Sequence, residues 1–267
     1  MSLSLMAVVV TSTAFAQDAR LRRVDSGVLT TPWEAVGRLD IDGEGFCTAA
    51  LIAPDLVLTA AHCLYDRETG KRFDASKVKF LAGWRDGRAS AHRDVHRAIV
   101  HPGFDYSSDL TSGRVSRDLA LLQLDRPIRN SQIVPFTTAD EPVQGERIGV
   151  VSYAKDRSEA PSLQEVCTVL AEKDGMLVTS CSVDFGSSGA PIFSFVDGDA
   201  QIVSVISAKA EMDGENVSLG TSLSVPLKLL RATLSAEREV FQTVGIGSDE
   251  LQRGGARNAT GAKFVRP

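Results

Sequence analysis

Three short stretches hold residue types that together could carry out nucleophilic hydrolysis. "LTAAHC", Leu58 to Cys63, ends an apolar run with His62. "RDLALLQL", Arg117 to Leu124, places Asp118 directly before another apolar run. "DFGSSGAP", Asp184 to Pro191, sets Ser187 and Ser188 between Gly186 and Gly189. A serine exposed on a tight Gly-rich turn can attack a carbonyl if a base takes its proton. A neutral imidazole is such a base. A carboxylate beside a buried strand needs a partner, and an imidazole N–H is a suitable one. That pairing fixes the ring tautomer and stabilises the imidazolium formed later. Each stretch also has a plainer reading: a histidine that ends a strand, a turn aspartate like Asp109 in "YSSDLTSG", and an ordinary Gly-Ser turn. The chain order His, Asp, Ser is that of one serine-hydrolase arrangement. From the turn alone, either serine could be the one that attacks. A zinc site from Cys47, His62 and Cys63 is a rival chemistry, but the compact Cys-x-x-Cys spacings are absent and no metal is expected.

These residues need a scaffold, and the apolar pattern supplies one. Short apolar runs broken by turns read as strands at 48–53, 56–61, 77–83, 96–102 and 119–124. A second set follows at 147–154, 164–181, 190–195, 201–208 and 220–226. Glu172-Lys-Asp-Gly175 is a hairpin turn signal inside the 164–181 stretch. Many short strands with regular turns predict an all-β sandwich or barrel architecture. The polar, proline-containing stretch 129–146 separates the two strand sets and predicts two β units of similar size. Helical periodicity is clear only near the end, where Leu227, Leu230 and Leu234 share a face behind Pro226.

The 267-residue chain is long enough to bury a sizeable core, and its net charge of −5 argues against nucleic acid as the main partner. The uncharged start "MSLSLMAVVVTSTAFA" ends in a small-x-small pattern and reads as a signal peptide over residues 1–16, too short for a stable membrane span. The four cysteines suit an exported protein, and sequence order pairs Cys47 with Cys63 and Cys167 with Cys181. Each bridge closes a short loop worth about 3 kcal/mol on a chain-entropy basis. A polar tail, residues 237–267, is expected to be disordered.

Taken together, the motifs resemble the chymotrypsin/trypsin-like serine peptidases. "LTAAHC", "RDLALLQL" and "GSSGAP" are similar to that family's histidine, "DIALL" and "GDSGGP" motifs, and "AIVHPGFD" (98–105) resembles the segment before its aspartate. The resemblance spans about residues 24–236. It implies two antiparallel six-stranded β-barrels, residues 24–130 and 141–236, with a C-terminal helix and the active site between the barrels. On this resemblance the peptidase domain occupies 17–236. His62 is the general base, Asp118 its orienting carboxylate and Ser188 the nucleophile. The amides of Gly186 and Ser188 form the oxyanion hole, and Ser207 hydrogen-bonds the aspartate. Ser182, Ser207 and Gly220 belong to the substrate-binding set. The implied activity is a secreted or periplasmic, monomeric serine endopeptidase acting on protein or peptide substrates without a cofactor.

The chain also departs from the trypsin pattern. Ser187 stands where trypsin-like zymogens have an aspartate that pairs with a new amino terminus, and only "RRVDSG" is found where "IVGG" would be. Activation by that ion pair is therefore not expected. These features are similar to the bacterial branch that includes glutamyl endopeptidases. Yet all four histidines, His62, His92, His96 and His101, lie in the first half, so a histidine in the second barrel cannot read a glutamate side chain. Ser182, in place of an aspartate, removes the trypsin device for basic side chains. An inactive homologue serving as a binding module is the alternative, and the presence of all three triad residues argues against it.

Overall fold

The computed structural model describes residues 22–24 and 31–237. The signal-peptide reading of residues 1–16 and nearly all of the polar tail fall outside these residues. Thirteen strands follow in order: β1 Arg22–Arg23, β2 Val36–Ile41, β3 Gly45–Ala53, β4 Leu56–Thr59, β5 Val78–Ala82, β6 Ala91–Val100, β7 Ala120–Leu124, β8 Arg147–Ala154, β9 Arg157–Lys173, β10 Met176–Thr179, β11 Pro191–Val196, β12 Asp199–Met212 and β13 Glu215–Ser222. One helical turn, α1 Ser112–Val115, precedes β7, and a helix α2 covers 226–237.

The first barrel closes in the order β2-β3-β4-β7-β6-β5, with β5 returning to β2. Every pairing is antiparallel, as short loops between sequential strands allow. In β5 the inward residues Val78, Phe80 and Ala82 are buried while Lys79 faces water, the period-2 alternation of a strand with one wet face. All five residues of β7 are buried, which matches its continuous apolar sequence. The second barrel runs β9-β10-β13-β12-β11-β8, and β8 pairs back onto β9 to close it. The long β9 makes this possible: its early residues pair with β8 and its last residues with β10. Strand β1 adds to the same sheet, with Arg22 opposite Leu163. Three of its hairpins turn on two residues, Asp174-Gly175, Asp197-Gly198 and Asp213-Gly214. All six residues have positive φ, the conformation that lets tight turns follow the strand twist.

One apolar core runs from the first barrel into the second, and a smaller one lies wholly within the second. Between the barrels Phe193 stacks edge-on against Trp33 (5.1 Å) and Phe136 (4.8 Å). Leu227, Leu230 and Leu234 of α2 bury their shared face in the larger core. Among the described residues no helix is long and apolar enough to cross a membrane.

The architecture is the expected all-β pair of six-stranded barrels with a C-terminal helix. Strand β2 is not among the runs picked out by apolarity, because Gly37, Arg38 and Asp40 interrupt it. Strand β4 stops at Thr59, so His62 sits in a 3-10 turn, Ala61–Leu64, rather than at the strand's end.

Candidate active site

The carboxylate comes first, because burying it costs most. Asp118 is 3% exposed and stands just before β7. The turn α1 delivers it: Thr111 caps the turn by accepting from the Arg114 amide, and the Asp118 amide donates to the Val115 carbonyl (3.1 Å). Thr221 of β13 braces this turn from the other barrel, its hydroxyl bonding the carbonyls of Val115 (2.6 Å) and Asp118 (3.2 Å).

Three donors satisfy the carboxylate. His62 donates twice, from its backbone amide to Oδ1 (2.8 Å) and from ring Nδ1 to Oδ2 (2.6 Å). Ser207 of β12 donates its hydroxyl to Oδ2 (2.5 Å). Burial alone would raise the Asp118 pKa. The facing His62 ring and these hydrogen bonds outweigh it and hold the carboxyl below the usual carboxylate range. The Nδ1 contact to an ionised carboxylate assigns the proton to Nδ1 and leaves Nε2 as the basic nitrogen.

From the opposite barrel, one residue, Thr48, makes the hydrogen bonds that hold the serine turn. Thr48 of β3 donates its amide to the Ser188 carbonyl (2.9 Å) and its hydroxyl to the Gly186 carbonyl (2.8 Å). The same hydroxyl accepts from the Tyr153 amide (3.0 Å). Thr48 is fully buried and follows Cys47, whose disulfide to Cys63 ties β3 to the residue after His62. The turn and the imidazole are thereby fixed to the same strand. On its other side the turn is pinned to β12 beside Ser207, through Gly189 N–H to Ile206 O (2.8 Å) and Ile206 N–H to Ala190 O (2.9 Å).

Two glycines make the close approach possible. Gly189 has φ +78°, and a Cβ there would strike the Thr59 hydroxyl and the Thr48 carbonyl. Gly186 has φ +94°, and a Cβ there would run into the Phe46 ring. Among the described residues, no protein group accepts from the amides of Gly186 and Ser188, and the Ser188 hydroxyl makes no hydrogen bond within the protein. Ser187 is different: it is fully buried and its hydroxyl faces Ser152 and the Tyr153 carbonyl.

Two depressions open beside the serine turn, the larger bordered by Phe185, the exposed residue before Gly186. The larger, about 780 Å³, is lined by His62, the Cys47–Cys63 bridge, Phe46, Tyr65 and Gly186. The smaller, about 210 Å³, is lined by Arg157, Ser182, Asp184, Lys209, Asn216 and Val217. An ion pair between Asp184 and Lys209 (3.2 Å) lies at the smaller one. Gly220 does not line it. This glycine sits inside the second barrel between Leu177 and Ile206, against Ser204 and Ile192.

Residues 43–201 match the trypsin-like peptidase domain family. The chain belongs to that family. Among curated relatives, this trypsin-like chain is 35% identical over 111 residues to the suppressor of tumorigenicity 14 protein homolog of Bos taurus, covering 39% of this chain and 12% of that protein. It is 29% identical over 136 residues to mannan-binding lectin serine protease 1 of Homo sapiens, covering 46% of this chain and 18% of that protein. It thus spans less than a fifth of the length of either relative. A solved structure titled "Structure of Glu endopeptidase in complex with MPD" shares the fold, with a TM-score of 0.66 at 18% identity over 81% of this chain and 96% of that one.

Both disulfides pair as sequence order predicts. The bridge between Cys47 and Cys63 leaves neither sulfur as a thiolate for a metal beside His62. Sequence reasoning missed Thr48 and Thr221, because a threonine within a strand carries no signal of the distant backbone groups it holds.

Proposed function

We propose that this chain is an exported serine endopeptidase. The observation that carries the reading is the buried Asp118, bonded at once to His62 and Ser207, next to a serine turn that Thr48 holds from the facing barrel. Ser188 is the nucleophile. His62 Nε2 takes its proton as the hydroxyl oxygen bonds to the scissile carbonyl carbon. The negative charge that develops on the carbonyl oxygen falls to the amides of Gly186 and Ser188, which have no acceptor among the described protein groups. The imidazolium, stabilised by Asp118, then gives its proton to the leaving amine. The C–N bond breaks and an acyl-enzyme remains on Ser188. Water, deprotonated by His62, hydrolyses the ester and restores the hydroxyl.

The leaving amine must lie within reach of His62, so the larger cleft takes the leaving side of the peptide. The smaller pocket, beside Ser182 and Asp184, takes the acyl-side residue. Two disulfides, which persist in oxidising compartments, support the exported reading. Cleavage-site profiling on a peptide library tests this reading, with the Ser188→Ala protein as control. Discrete cleavage products from the wild type and none from the control are expected; a wild type that cleaves nothing contradicts it.

A further inference from the structure

The turn that carries Gly186 and Ser188 is clamped on both faces. On its outer face the exposed Asp184 carboxylate accepts from the Phe185 amide (2.8 Å) and from Lys209 Nζ (3.2 Å). The Phe185 ring stands between two cations from opposite barrels, Arg67 at 5.6 Å and Lys209 at 5.4 Å from its centre. Its carbonyl accepts from the Lys155 amide (2.8 Å). On the inner face Ser187, between the two amide-bearing residues, is fully buried. Its amide donates to the Asp184 carbonyl (2.9 Å) and its hydroxyl accepts from the Asp184 amide (3.4 Å). The same hydroxyl reaches Ser152 Oγ (3.3 Å) and the Tyr153 carbonyl (3.4 Å).

Ser152 is 1% exposed and is in turn held by Arg157, whose Nη1 donates to its carbonyl (2.9 Å) and its hydroxyl (3.2 Å). The guanidinium is largely covered and has two carboxylates as counter-charges, Asp156 (4.0 Å) and Asp184 of the turn itself. A covered arginine is costly to keep, so its hydrogen bonds must be met in place. Here both bonds of Nη1 are made to the residue that abuts Ser187. Three long contacts to the Ser187 hydroxyl would define its position poorly on their own. Anchoring Ser152 through a charged donor makes that position definite.

We propose that Arg157 and Ser152 are positioning residues for the oxyanion loop: the chain Arg157–Ser152–Ser187 sets the backbone of the turn so that the Gly186 and Ser188 amides face the reacting carbonyl. This rests on the peptidase reading of those two amides. Neither Arg157 nor Ser152 touches the reacting atoms. Their effect passes through Ser187 to the neighbouring amides, whose misplacement weakens binding of the transition state more than that of the substrate.

The test compares the full chain with its Arg157→Met, Arg157→Lys and Ser152→Ala variants. Methionine keeps the apolar stem and removes the donors. Steady-state kinetics on one peptide substrate are measured beside the affinity of a peptide boronic acid, which mimics the tetrahedral intermediate. Arg157→Met and Ser152→Ala are both expected to lower kcat by about tenfold or more; KM stays within about threefold in Ser152→Ala, whereas Arg157 also lines the smaller pocket and its variant is judged on kcat. The boronic acid weakens in parallel, and Arg157→Lys recovers part of the loss. A rise in KM alone, or an unchanged kcat in folded variants, overturns the proposal. Amide hydrogen exchange of residues 184–190 gives a readout independent of catalysis. Faster exchange there in Arg157→Met, with the rest of the second barrel unchanged, supports the network, and unchanged protection refutes it. A wild-type chain that turns over no peptide overturns the peptidase reading, and the exchange measurement then decides the network alone.

Discussion

The Ser207 hydroxyl donates to the Asp118 carboxylate at 2.5 Å, joining residues 89 positions apart and contributed by different barrels. The bond sits on the same oxygen that His62 Nδ1 contacts, so it helps set how the carboxylate presents itself to the ring. Ser207→Ala should cost roughly 1–3 kcal/mol of stability, the range for a hydrogen bond to a buried charged group. It should also lower kcat by about tenfold, because the ring is held less well. Urea denaturation and steady-state kinetics check both, and wild-type values in both would show that the contact does nothing.

Thr48 makes a second prediction. Its hydroxyl joins the Gly186 carbonyl to the Tyr153 amide in a fully buried place. Thr48→Val keeps the shape and leaves both backbone groups unpaired, at about 1–3 kcal/mol each. The variant should fold with a lower denaturation midpoint and lose activity out of proportion to that change, because Gly186 shifts. Activity that tracks only the folded fraction would contradict this.

The pH dependence follows from the Asp118 carboxyl. Its folded pKa lies below its unfolded value, so the unfolded chain binds the proton more readily. The stabilisation is present above about pH 4, the ordinary value for an aspartate, and is lost as pH falls through the folded value. Denaturation midpoints of the wild type should therefore fall more steeply below about pH 4 than those of Asp118→Asn. Parallel acid limbs for the two proteins would show that Asp118 carries no such linkage.

Much of this was legible in the residues themselves. His62, Asp118 and the serine turn stand at the ends of apolar runs, and it is the three together, in that chain order, that set them apart from ordinary turn residues. The two disulfides and the buried face of α2 were equally plain, since spacing and a helical period mark them. What could not be read were partners set by the docking of one barrel on the other. The Thr48 hydroxyl meets a carbonyl 138 positions away, and Thr221 meets one 106 positions away. Neither has a local pattern. The strands β12 and β13 likewise run on through the polar segment around Asp213-Gly214, because their ladder bonds and turn geometry extend them where apolarity gives no signal. Gly220, given to the substrate pocket by the resemblance, stands on β13 between Leu177 and Ile206, a setting that only the strand register defines.

Everything proposed for the site turns on Ser188, and not its neighbour Ser187, being the nucleophile. A fluorophosphonate probe followed by peptide mapping addresses it most directly. One adduct is expected, on Ser188, absent in Ser188→Ala and His62→Ala and still formed in Ser187→Ala. An adduct on Ser187, or full labelling of Ser188→Ala, would contradict it.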